Sequence, residues 1–209
     1  MRHDGDSSDT QEVLAAKYDS GSTSLFAVST HGLLWCWDLT TGVPRRRPVR
    51  LWPKMRRLTI ECRPMFSPAG MRFGLLTVPA DSDPPYAEPS PYPSRSMAVF
   101  DLSNPAGPIP PPIQLRGHGG RILAFSFFPD GRYIATASED ATVRLWRTED
   151  GSCVETFTEH DAAVTHVVFS GNGNVLASAA EDGSVRVRKD MRTLLSRYAD
   201  SARANGYER

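Results

Sequence analysis

Residues 117–148 read GHGGRILAFSFFPDGRYIATASEDATVRLWRT, and residues 159–190 read EHDAAVTHVVFSGNGNVLASAAEDGSVRVRKD. An offset of 42 residues superimposes them without a gap, with nine of 32 positions identical. His118 falls on His160, Phe127 on Phe169, Gly131 on Gly173, Asp140 on Asp182 and Val143 on Val185. Such a period marks a repeat architecture, in which each unit needs a neighbour to bury its apolar face. Inside each unit IATAS and TVRLW alternate with period two, and Pro129-Asp130-Gly131 punctuates the runs, so each unit reads as a small antiparallel meander.

Shifting back by 109 lays EVLAAKYDSGSTSLFAVSTHGLLWCWDL (12–39) over the same unit, with Trp37 on Trp146 and Ser29 on Ser138. A further copy is assembled from 59–78 and 96–102, where Phe66-Ser67-Pro68-Ala69-Gly70 parallels Phe127-Phe128-Pro129-Asp130-Gly131. Between its strands lies an insert, 79–95, with six prolines, which reads as loop or polyproline segment.

The period, the Gly-His before the first strand, the Asp of the tight turn and the terminal Trp together resemble the WD-repeat family of β-propellers. The resemblance implies an all-β, propeller-type array of about four four-stranded antiparallel blades, at 12–52, 57–116, 117–158 and 159–190. A flexible tail is expected over 1–11, and a tail of short helix or outer strand over 191–209. Closed rings in this family take about seven blades, and propellers in general roughly four to eight. Four copies therefore leave three readings, an unusual small ring, a half ring that completes itself with another chain, or a partial or shortened member, and the favoured one is a fragment of a larger propeller. An open array exposes strand edges and apolar faces, which favours self-association.

The resemblance also implies a structural tetrad of His118, Ser138, Asp140 and Trp146 in the third unit. An imidazole can donate to the turn carboxylate and accept from a hydroxyl, whereas an indole N–H only donates. The fourth unit retains His160 and Asp182 but has Ala180 and Arg188 at the other two places; the first retains Ser29 and Trp37, with His31 and Asp9 as an exchanged pair; the second has Phe100 for the Trp. Recurrence at 42 residues is what an architectural role requires, so no catalytic or metal role is read into these side chains. No nucleophile elbow, phosphate loop, dinucleotide fingerprint or zinc-ligand spacing occurs, and neither cofactor nor metal is expected.

The chain carries 24 basic and 24 acidic residues, which gives no global field toward a polyanion. One local run stands out: PRRRPVRLWPKMRR (44–57) holds Arg45, Arg46, Arg47, Arg50, Lys54, Arg56 and Arg57 with no acidic residue from 39 to 60. It reads first as a solvated strand and loop. The alternative is nucleic-acid or anionic-lipid binding, although the family's Phe-Arg-Arg-Gly lipid motif is absent. Cys36, Cys62 and Cys153 are odd in number and widely spaced, which argues against a disulfide framework. The expected setting is cytoplasmic or nuclear, with no apolar run long enough to span a bilayer.

The resemblance implies that partners dock on the rim shared by the loops before the first strand and between the second and third, where Arg121, Glu139, Glu181, the proline-rich insert and the end of the basic run fall. The reading is a non-catalytic protein–protein interaction scaffold. The rival readings are the phosphate-binding one, and a truncated propeller without independent function.

Overall fold

The computed structural model describes residues 12–30, 32–51, 65–76, 96–104 and 106–204. The tail 1–11, the insert 79–95, His31, Lys54, Arg56, Arg57, Cys62 and Gly206 lie outside the described residues.

Four antiparallel sheets follow one another along the chain. The first comprises β1 (Val13–Tyr18), β2 (Ser24–Ser29), β3 (Leu33–Asp38) and β4 (Val49–Arg50). The second comprises β5 (Met65–Phe66), β6 (Arg72–Leu76), β7 (Ser96–Asp101) and β8 (Ile113–Arg116). The third holds β9 (Ile122–Phe127), β10 (Tyr133–Ser138), β11 (Val143–Arg147) and β12 (Cys153–Phe157), and the fourth β13 (Val164–Phe169), β14 (Leu176–Ala180) and β15 (Val185–Arg188). In each sheet sequence order is spatial order, as local meanders require. The fourth sheet has three described strands rather than the four expected, because after Arg188 the chain enters a helix, α1 (Met191–Ala204).

Each blade has two apolar faces because side chains alternate along a strand. Phe26, Val28, Leu34 and Cys36 of the first blade meet Phe73, Leu75, Ala98 and Phe100 of the second. The opposite face of the second blade, with Leu76, Met97, Val99 and Leu115, meets Ile122, Phe125, Phe127, Ile134 and Trp146 of the third. The third blade's other face, with Ala135, Ala137, Val143 and Leu145, meets Val164, Val167, Phe169 and Leu176 of the fourth. Three cores therefore join four blades in one direction, and none of them joins the fourth to the first. Fully burying each such side chain stabilises by roughly 1.5–3 kcal/mol, which no blade gains alone.

The turn between the first and second strands sets how closely blades approach. Gly70, Gly131 and Gly173 each donate to the carbonyl three residues earlier at 2.8 Å, with φ of 73°, 76° and 72°. That left-handed backbone favours glycine. A Cβ at Gly70 would stand 2.5 Å from the Tyr18 carbonyl oxygen, and one at Gly173 2.6 Å from the Phe128 ring, so each turn rests on the same turn of the preceding blade.

The helix places Met191, Leu194, Leu195 and Tyr198 on one stripe, the i, i+3, i+4, i+7 spacing of an amphipathic helix. The stripe packs against Val154 and Phe157 and their neighbours at the outer part of the third blade. Asp190 stands at its N-cap with φ of 60°, and its carbonyl accepts the Leu194 N–H at 3.0 Å. The Tyr133 hydroxyl donates to the Leu195 carbonyl at 3.3 Å, and the Tyr198 hydroxyl to Glu155 at 2.5 Å. That bond to a carboxylate, together with burial, pushes the Tyr198 phenol up to about 12.

Candidate functional site

The third blade contains a continuous polar chain. His118 Nδ1 lies 2.9 Å from Asp140 Oδ2, and its Nε2 lies 2.7 Å from Thr136 Oγ1. Trp146 Nε1 donates to the same Thr136 oxygen at 2.7 Å. The indole can only donate, so the threonine oxygen accepts from it; a neutral ring, the form that burial favours, donates from Nδ1–H to Asp140 and accepts the threonine proton at Nε2. Burial drives the pKa of His118 down against the opposing pull of Asp140. Burial acts to raise that of Asp140, but hydrogen bonds from Thr142, His118 and the Gly119 amide outweigh it and hold the carboxyl far below the usual range.

The hydroxyl in this chain is therefore Thr136, not the Ser138 nominated from the sequence. Strand register gives the reason. Trp146 pairs with Ile134, which puts Thr136 two residues along on the same face, within diagonal reach of the indole. Ser138 follows an irregularity in the β9–β10 pairing and serves the turn instead, its Oγ accepting the Asp140 N–H at 3.2 Å. Ser29 does the same in the first blade, accepting from the Leu33 N–H at 3.4 Å.

The same offset corrects the fourth blade. His160 Nε2 meets Ser178 Oγ at 2.8 Å, the place of Thr136, and its Nδ1 meets Ser184 Oγ at 2.9 Å. The fourth blade thus has its hydroxyl at Ser178, two residues before Ala180. Asp182 accepts from the Ser184 amide at 2.9 Å, so Ser184 stands where a direct His160–Asp182 bond was expected. Arg188, in the place of Trp146, lays its guanidinium 3.7 Å from the centroid of the Phe157 ring and pairs with Glu159. In the first blade Ala27 occupies the hydroxyl position and Trp37 stacks on Trp35, centroids 6.4 Å apart. Phe100 of the second blade is buried among Phe73 and its neighbours. The missed residues had a signal: Thr136/Ser178 and Thr142/Ser184 are hydroxyl pairs repeating at 42.

These groups are locked to one another, whereas Arg121, Glu139 and Glu181 are exposed. Arg121 donates from Nε and Nη2 to Glu139 Oε1 at 2.8 and 2.6 Å. The Glu139 amide donates to the Arg121 carbonyl at 3.0 Å, and the Glu181 amide to the Ala163 carbonyl at 2.9 Å. Both glutamates are thus presented by the same backbone link one blade apart, and both are exposed.

The basic run is partly committed to the fold. Arg45 pairs with Asp38 at 3.0 Å, and Arg46 donates to the Gly107 carbonyl in the second blade. Arg47 and Arg50 are exposed. Among the described residues no group of three or more His, Cys, Asp or Glu is placed to hold a metal ion, and no helix is long and apolar enough to cross a membrane.

Comparison with known proteins agrees with this geometry. The family described as WD domain, G-beta repeat matches residues 110–147 and 151–188. Periodic tryptophan protein 2 homolog of Dictyostelium discoideum is 41% identical over 76 residues, 35% of this chain and 8% of that protein. U3 small nucleolar RNA-associated protein 21 of Saccharomyces cerevisiae is 44% identical over 71 residues, 34% of this chain and 8% of that protein. Pre-mRNA-processing factor 19 of Bos taurus is 34% identical over 88 residues, 42% of this chain and 17% of that protein. The similarity therefore spans less than a fifth of each of these relatives.

Proposed function

Since the chain is a WD-repeat protein, its last two blades carrying the matched repeats, we propose that it is a non-catalytic scaffold that docks other proteins on the rim holding Arg121, Glu139 and Glu181. The observation that supports this reading is the repeated backbone link that presents Glu139 and Glu181 one blade apart. A rigid sheet that fixes exposed charged loops is suited to recognition rather than to bond chemistry. The buried His118 chain serves to hold that rim in place. Its carboxylate and imidazole already satisfy one another and leave no base directed at solvent.

The names of two relatives support a class of partner. One is named for association with U3 small nucleolar RNA and another for pre-mRNA processing. The partner class proposed for this chain is accordingly a protein component of a nuclear ribonucleoprotein assembly, met through the rim. Direct RNA contact through 45–57 is the weaker reading, because Arg45 and Arg46 are spent on internal contacts.

The test is co-purification from cells of the natural chain and of a variant with Arg121→Ala, Glu139→Ala and Glu181→Ala. Loss of a defined set of proteins from the variant, with its melting unchanged, is the expected result. An identical partner set would defeat the rim assignment.

A further inference from the structure

The third and fourth blades build these rim loops alike but differ in what neutralises the glutamate they present. In the third, the Arg121 guanidinium reaches one oxygen of the Glu139 carboxylate through Nε and Nη2 at 2.8 and 2.6 Å, and the Arg121 amide donates to the other at 3.2 Å. In the fourth, Glu181 takes the place of Glu139, and Ala163 that of Arg121. The backbone link is retained, with the Glu139 and Glu181 amides donating to the Arg121 and Ala163 carbonyls at 3.0 and 2.9 Å. The glutamate is therefore held in the same way, while the side chain that would pair with it stops at a methyl group. Among the described residues no ion pair or side-chain hydrogen bond joins Glu181, which is exposed.

The charge of the loops differs in the same sense. The third-blade loops, 117–121 and 139–142, set Arg121 against Glu139 and Asp140. The fourth-blade loops, 159–163 and 181–184, carry Glu159, Asp161, Glu181 and Asp182 and no lysine or arginine. The cations of β15, Arg186 and Arg188, both serve Glu159, one at its carbonyl and one at its carboxylate. Neither is paired with Glu181.

Resting on the rim reading, we infer that Glu181 recognises an arginine side chain of the partner protein, which takes the place beside Ala163 that Arg121 fills beside Glu139. The chain thus shows the complete fork in one blade and its acceptor half in the next. A guanidinium suits this place better than an ammonium, because Arg121 uses two donors of one planar group, whereas lysine offers a point charge. A phosphate group carries the wrong sign for these loops, so the segment that meets this blade is basic protein and not nucleic acid. An exposed ion pair adds little affinity alone, and the arginine sets selectivity and orientation on the rim.

The test is selection of peptides from a displayed random decapeptide library on the full chain, followed by fluorescence polarisation of the peptides recovered. Arginine should be enriched at one position. Its replacement by citrulline, which keeps the shape without the charge, should weaken binding about fivefold. Lysine there should bind less well than arginine. Two changes in the protein should weaken binding as citrulline does: Glu181→Gln, which removes the charge of the acceptor, and Ala163→Arg, which supplies the guanidinium from the chain itself. Absence of arginine from the recovered peptides, lysine serving equally well, or undiminished binding by either variant would overturn the inference. The citrulline comparison leaves the protein unaltered, so it decides the matter should a variant not fold. Partners lost from the triple alanine variant at Arg121, Glu139 and Glu181 but kept by Ala163→Arg would sink the arginine assignment and leave the rim reading standing.

Discussion

Replacing Thr136 by valine removes one hydroxyl and leaves the shape of the site nearly intact. Thr136 is fully buried, and its oxygen is the shared partner of Trp146 Nε1 and His118 Nε2. The variant therefore strands one donor and one acceptor, each at about 1–3 kcal/mol. Partial relief from the added methyl's burial sets the expected net cost at about 3 kcal/mol. For a domain of this size about 2–4 °C is lost per kcal/mol, so the melting temperature should fall by about 6–12 °C. Ser138→Ala is the control. Ser138 is as deeply buried, but the hydrogen bond its Oγ makes to the Asp140 amide is the longer one, 3.2 Å, in a turn also closed by backbone bonds. Its expected cost is about 1 kcal/mol. Thermal and urea unfolding followed by far-ultraviolet circular dichroism measures both. A Trp146→Phe change should also cost less in the Thr136→Val background than alone, because the indole N–H is already orphaned there. If Ser138→Ala proves as damaging as Thr136→Val, or the two losses simply add, the chain has been traced through the wrong hydroxyl.

Stability should fall in acid. The pKa of His118 is lowered on folding, so the contribution of the neutral ring is fully present above about pH 6.5 and is lost as pH falls below it; Asp140, also lowered, acts with the same sign below about pH 4. Melting at pH 8 and pH 5 should therefore differ, and His118→Asn should flatten that difference; a natural chain more stable at pH 5 refutes the assignment. Gly70→Ala meets both a left-handed backbone and the Tyr18 carbonyl and should cost about 3 kcal/mol or more, whereas Gly183→Ala, strained in the same way but facing open space, should cost about 1 kcal/mol; equal losses in chemical denaturation would show that the turns do not bear on the preceding blade. Leu195→Ala should cost about 3 kcal/mol by opening a cavity between α1 and the third blade, and a melting point unchanged by it would mean that the helix is not docked.

The repeat was legible because its spacing is set by covalent order. Gly131 and Gly173 must turn with φ > 0, the valines at 143 and 185 must alternate inward, and both demands recur at 42 whatever the surroundings. The polar chain was half legible. His118, Asp140 and Trp146 are fixed by residue chemistry, but which hydroxyl joins them depends on strand register: Ile134 lies opposite Trp146, so Thr136 is two residues along the strand from that pair and Ser138 four. A period of two seen in sequence gives the face of a residue and not its depth along the partner strand. Arg46 escaped the reading for a related reason. Its partner is the carbonyl of Gly107 in the next blade, 61 residues on, and backbone acceptors leave no trace in the identity of a residue.

Among the described residues, the complete polar chain stands in the third blade, one of two with apolar neighbours on both faces. Burial on both sides makes the hydrogen bonds of Trp146 and His118 indispensable, since neither group has water to fall back on. The fourth blade has a neighbour on one side, and there the Trp place holds Arg188, whose charge reaches Glu159 at the margin while its flat face covers Phe157. The first blade, open on its Trp side, dispenses with the hydroxyl at Ala27 and stacks Trp35 on Trp37. The second blade, covered on both faces, fills the Trp place with Phe100, which packs near Phe73 and brings no N–H that would need an acceptor.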